Sequence, residues 1–169
     1  MKLVWTKQLS VGNAVIDSDH KNLIAIINGI QRVISEKEHS AVSLTFEFLE
    51  GWLCVHFNNE ERIAQAAYLD FSHYKQAQDY SLKKLQYLRD ELISKNGIWS
   101  DSAIRYYSHC LMLWMNEHIN RVDMPMKPGL QTLGYPFWPG HGKSETNFIA
   151  GRTASLYPQP LDTPTPCYA

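Results

Sequence analysis

Apolar side chains recur at three- and four-residue intervals through four stretches of the chain, and this spacing predicts four amphipathic helices. The first begins near Asp17 and Ser18 and carries Leu23, Ile24, Ile27, Ile30 and Ile34 on one face. The second spans about residues 40–67, with Phe46, Leu49, Leu53 and Phe57 inward. The third begins at Asp70 or Ser72, continues through Tyr80, Leu85, Leu88 and Leu92, and stops at Asn96-Gly97, a good C-terminal signal. The fourth begins at Ser100 or Asp101 and runs through Ile104, Tyr107, Leu111 and Trp114 to about Val122. Short connections favour antiparallel neighbours, so the expected fold is all-α, an up-down-up-down four-helix bundle. Residues 1–16 form an aromatic- and valine-bearing arm expected to lie across the bundle.

Proline divides the chain. All 8 prolines fall at Pro125 or beyond, so the earlier part is free to be continuous helix and the later part is not. The expected organisation is a bundle over residues 1–126 and an irregular C-terminal extension over 127–169. The extension holds Tyr135, Phe137, Trp138, Phe148 and Tyr157. It is expected to pack on the bundle or to join a second copy in a homo-oligomer. The formal net charge of -1 argues against a nucleic-acid groove or a polybasic membrane contact. The opening MKLVWTKQLSVGN lacks the apolar run of a signal peptide, and the expected compartment is the cytoplasm.

Six residues in order carry the candidate chemistry: His20, His56, Glu60, His73, His118 and Asp123. Imidazoles mixed with carboxylates suit iron, manganese or zinc. His56 and Glu60 are four apart, about 40° around a helix, and so share a face. His118 and Asp123 are five apart, about 140° on a regular helix, and would not. Pro125 follows closely, so the helix is expected to end near Asp123 and let its carboxylate swing back. In an antiparallel bundle the starts of the first and third helices meet the ends of the second and fourth. All six residues then fall in one layer. A lone histidine on an apolar face is more often a satisfied core residue, but six ligand types drawn from four helices are hard to reach by chance. His39 in a loop, His109 on an outward face and His141 in the extension stand outside the set.

These segments resemble the bacterial hemerythrins. The resemblance covers roughly residues 1–126 and rests on Val11-Gly12 with Asp17-Ser-Asp-His20, on His56-Phe-Asn-Asn-Glu60-Glu61, and on Trp114-Met-Asn-Glu-His118-Ile-Asn-Arg-Val-Asp123. It implies a bundle holding two non-heme irons, joined by an oxo or hydroxo bridge, that binds dioxygen reversibly. Carried over by position, Glu60 and Asp123 would bridge the irons. His20 and His56 would bind one iron; His73 and His118 would bind the other. The family's third helix carries an HxxxH pair, and here His73 is followed four residues later by Ala77. The resemblance thus leaves one iron short of an imidazole, with Gln76 or Tyr80 as substitute ligands. It implies a carrier or sensor of dioxygen or nitric oxide. The gap at Ala77 keeps open a di-iron oxidase or peroxidase-like enzyme, and the extension an interaction module with a structural metal.

Overall fold

A computed structural model of the chain describes residues 2–138. The described residues are helical, without strands, and form a four-helix bundle: α1 (Ala14–Ser35), α2 (His39–Ala66), α3 (Ser72–Ser94) and α4 (Asp101–His118). Each helix packs on its chain neighbours, and α4 returns to α1 to close the ring.

The expected starts of the second, third and fourth helices hold within two residues. The first helix begins earlier than the pattern of apolar residues indicates. Its N-cap is Asn13, whose side-chain oxygen accepts hydrogen bonds from the backbone N–H groups of Val15 and Ile16. Asp17 lies inside the helix and is buried; it accepts from the Val11 N–H at 2.9 Å and from the Ser10 hydroxyl. It therefore ties the arm to the helix.

The connections are as short as expected. Lys37, Tyr68 and Asn96 adopt positive φ at the three turns. Gly97 follows at φ +77, and a Cβ there would sit 2.9 Å from the His39 Cβ. Glycine is required at this position for both backbone conformation and space.

The arm does lie on the bundle. Leu3 is buried and exchanges two hydrogen bonds with the Asn28 side chain, each 2.9 Å. Trp5 packs on the core beneath the Lys21 ammonium. The start of the extension packs too. The Ala14 N–H donates to the Tyr135 carbonyl at 2.8 Å, and Trp138 lies under the Arg62 guanidinium. His141, Phe148 and Tyr157 lie outside the described residues. None of the described helices is long and apolar enough to cross a membrane.

Two apolar clusters fill the interior. The larger joins Leu23, Ile27, Ile30 and Ile34 of α1 to Phe46, Leu49 and Leu53 of α2, Leu85 and Leu92 of α3, and Leu111 and Trp114 of α4. The smaller gathers Val11, Ile16, Ile63, Ala64, Met126 and Leu130. Along the helices the polar candidates fall between the two. His20 follows Ile16 and precedes Leu23; His56 and Glu60 lie between Leu53 and Ile63. A layer of charge is thus enclosed by apolar packing on both sides.

Candidate metal centre

Asp123 is the hub of this layer. Its Oδ2 lies 2.8 Å from His20 Nε2, 3.5 Å from His118 Nε2 and 3.7 Å from His56 Nε2. Glu60 Oε1 also lies 3.7 Å from His56 Nε2. His56 Nε2 and His118 Nε2 are 3.2 Å apart. All five residues are buried. Potential ligand atoms of His56, Glu60, His118 and Asp123 lie within 4.8 Å of one another.

His118 and Asp123 meet by a route that regular-helix spacing does not predict. The chain does not stop and swing back. Residues Ile119–Asp123 widen into a π turn, and Met124–Met126 then tightens into a 3₁₀ turn that takes in Pro125. A π turn closes i→i+5 hydrogen bonds, so residues five apart come to lie over one another. The one-residue widening aims both side chains inward.

The third helix corrects the sequence reading. His73 is exposed, as are Gln76 and Tyr80. None of the three faces the cluster. The buried stripe of α3 contains Gln78, Ser81, Leu85, Leu88 and Leu92, and its spacing extends back to Tyr74 rather than His73. His73 is one residue, about 100°, off that stripe. Tyr74 turns to the smaller apolar cluster, stacked on Phe71 with ring centroids 5.5 Å apart. What α3 presents to the centre is an amide and a hydroxyl. Gln78 Nε2 donates to Glu60 Oε2 at 2.7 Å, and the Ser81 Oγ lies 3.3 Å from His118 Nδ1. The repeat of Leu85, Leu88 and Leu92, continued toward the start of the helix, was the signal that could have named both.

Other groups orient the ligand-type side chains. Asp19 Oδ2 sits 3.7 Å from His56 Nδ1 and accepts from Asn59 Nδ2 at 2.8 Å. Trp114 stacks parallel to His118 with centroids 5.6 Å apart, and its indole N–H donates to the Ser81 carbonyl at 2.8 Å.

The chain resembles curated proteins over most of its length. Bacteriohemerythrin of Pseudomonas aeruginosa is 26% identical over 122 residues, 72% of this chain and 76% of the relative. The hemerythrin-like protein of Naegleria gruberi is 27% identical over 124 residues, 73% of this chain and 89% of that protein. The chain is thus similar to bacteriohemerythrins and hemerythrin-like proteins over nearly three quarters of its length. No protein-family model matches it, and no solved structure matches it.

The donor set of this chain fits a cation. Glu60 Oε1 and Asp123 Oδ1 are buried with no hydrogen-bond partner among the described residues. Two buried carboxylates this close are unfavourable unless positive charge lies between them. Three imidazoles and two carboxylates are also a ligand mix proper to non-heme iron, with manganese and zinc as neighbours in preference.

Without metal, protons do part of that work. Burial, with Asp123 beside it, holds the Glu60 carboxyl well above the usual carboxylate range. Burial opposes charge on His56, but Glu60, Asp123 and Asp19 outweigh it and hold that imidazole well above its ordinary value. Burial alone would raise Asp123; its three imidazole neighbours outweigh this and hold it well below. His118 is pushed down to about 4, first by burial and then by His56 and His20, against Asp123. It is therefore neutral and ready to donate a lone pair at neutral pH.

The sign for metal binding follows. Both shifts favour the protonated forms of Glu60 and His56, and a cation entering between them competes with protons. Affinity is expected to rise with pH across the neutral range, by about tenfold per pH unit for each proton displaced. Metal titrations at several pH values in weak buffer, with proton release followed by an indicator dye, measure this. A pH-independent affinity would show that the cation does not enter between these groups.

Proposed function

We propose that this hemerythrin-like chain is a non-heme iron protein that binds a small diatomic ligand, dioxygen or nitric oxide, as a carrier or sensor. The observation that supports the reading is the hub geometry: one buried carboxylate against three imidazoles, with a second carboxylate beside one of them. His20, His56, Glu60, His118 and Asp123 are the proposed ligands. Bound iron would supply reversible attachment of the diatomic molecule.

The protein residues have distinct tasks in this reading. Glu60 and Asp123 balance the metal charge and lie between the imidazoles of α1, α2 and α4. Gln78 fixes the Glu60 carboxylate through its 2.7 Å hydrogen bond. Ser81 and Trp114 hold the His118 ring, by a polar contact on its edge and a stack on its face. Phe57 packs against both His56 and His118, with centroids 5.8 and 5.6 Å away, and keeps bulk water from the layer.

The test is to load the protein with ferrous iron without air and then admit dioxygen or nitric oxide. Metal analysis should find iron, and a charge-transfer band should appear on exposure. A protein that keeps zinc, rejects iron and shows no optical change would refute the reading.

One observation favours a second reading. With Gln78 and Ser81 facing the centre in place of an imidazole pair, the α3 side offers weaker donors than the family pattern implies. A metal there would keep exchangeable positions, which suits reduction of dioxygen or peroxide by a supplied electron donor. Steady consumption of peroxide with a reductant separates such an enzyme from a carrier, which would bind and release without turnover.

A further inference from the structure

A cavity of about 210 Å³ lies between α3 and α4, on the side of His118 away from the hub. Ala77, Ser81, Trp114 and His118 line it. Lys84, Glu117 and Arg121 line it as well and carry its charge. We propose that this cavity is a separate binding site for a small monocarboxylate with an apolar body, such as an aryl carboxylate.

Its size comes from the small side chain of Ala77. Drug-sized ligands need roughly 300–1,000 Å³, so the space suits a single ring with a small substituent. The indole of Trp114 offers an apolar wall, and the Ser81 hydroxyl a hydrogen-bonding group.

Charge selects the ligand class. Glu117 accepts a hydrogen bond from the Lys84 ammonium and pairs with Arg121 Nη1 at 3.2 Å. Two cations thus share one carboxylate, and Glu117 is the one acidic group among the residues lining the cavity. A second carboxylate completes the balance, whereas a neutral or cationic molecule of the same shape does not. The ligand would lie against the ring of His118, whose Nε2 faces Asp123 on its other side. Occupancy would therefore be felt at the centre, although the site itself needs no metal.

The experiment uses the full metal-free chain, so its result does not depend on the iron reading. Benzoate is titrated by calorimetry, with benzamide as the neutral isostere. Benzoate is expected to bind up to about fivefold more tightly than benzamide, the scale of one partly exposed charge contact. Ala77→Leu should fill the cavity and remove binding of both. Arg121→Gln, at an exposed position, should erase the preference for benzoate over benzamide. Equal affinity for the two compounds, no measurable benzoate binding, or benzoate binding untouched by both variants would each overturn the proposal.

Discussion

Asp123→Ala is expected to strip the protein of its metal, lowering affinity by at least about 100-fold. Loss of an outer partner to a metal ligand already costs roughly 10–100-fold. Asp123 is an inner group here: one oxygen lies within 3.7 Å of three different imidazoles. Without it, three rings from α1, α2 and α4 face one another with only Glu60 to balance a cation. Asp123→Asn keeps the volume and removes the charge, and it should lose nearly as much metal. Metal per chain after dialysis against a weak chelator, with helicity followed by circular dichroism, separates lost ligation from lost folding. An Asp123→Asn protein that is folded and fully metallated would remove Asp123 from the centre.

The origin of that hub also marks how far the sequence was legible. His56 and Glu60 are four apart on an uninterrupted helix, and their shared face follows from helical geometry alone. His20 follows from the same logic, although its helix starts at Ala14, earlier than expected, because Asn13 rather than Asp17 or Ser18 caps it. The meeting of His118 and Asp123 was expected, but its cause was not. A π turn is a one-residue insertion into a helix, and no side chain in Ile119–Asp123 announces it.

The error on α3 has a different origin. His73 attracted attention as a ligand type, while the register of the helix is set by Leu85, Leu88 and Leu92 more than two turns away. At the first turn of a helix, one residue of slip moves a side chain from the interior to solvent. Apolar packing decides that slip, and a single polar residue near the end has little say. Tyr80 fails for the same reason: its ring is 65% exposed, whereas Ser81 beside it is buried. Only the first dozen residues of the extension are described; there the Tyr135 carbonyl accepts from the Ala14 N–H and Trp138 lies under Arg62.

Gln78→His is expected to strengthen metal binding on the α3 side by at least about tenfold, the scale on which one well-placed partner alters metal affinity. Gln78 is buried and already touches the centre, with its amide 2.7 Å from Glu60 Oε2. Histidine is of similar reach, and its ring nitrogen can bind a cation that an amide nitrogen cannot. Among the described residues His118 is the one imidazole on that side of the hub, so a second metal ion there is expected to be held weakly. The variant should therefore raise the iron count per chain at limiting metal, beyond merely preserving the first ion. A competing outcome is that the new ring only replaces the amide as a donor to Glu60, which would raise thermal stability and leave the count unchanged. Iron titration with a spectroscopic endpoint distinguishes the two. An unchanged count would mean that α3 shapes the centre through hydrogen bonds to Glu60 and His118, and that the metal is held by α1, α2 and α4 alone.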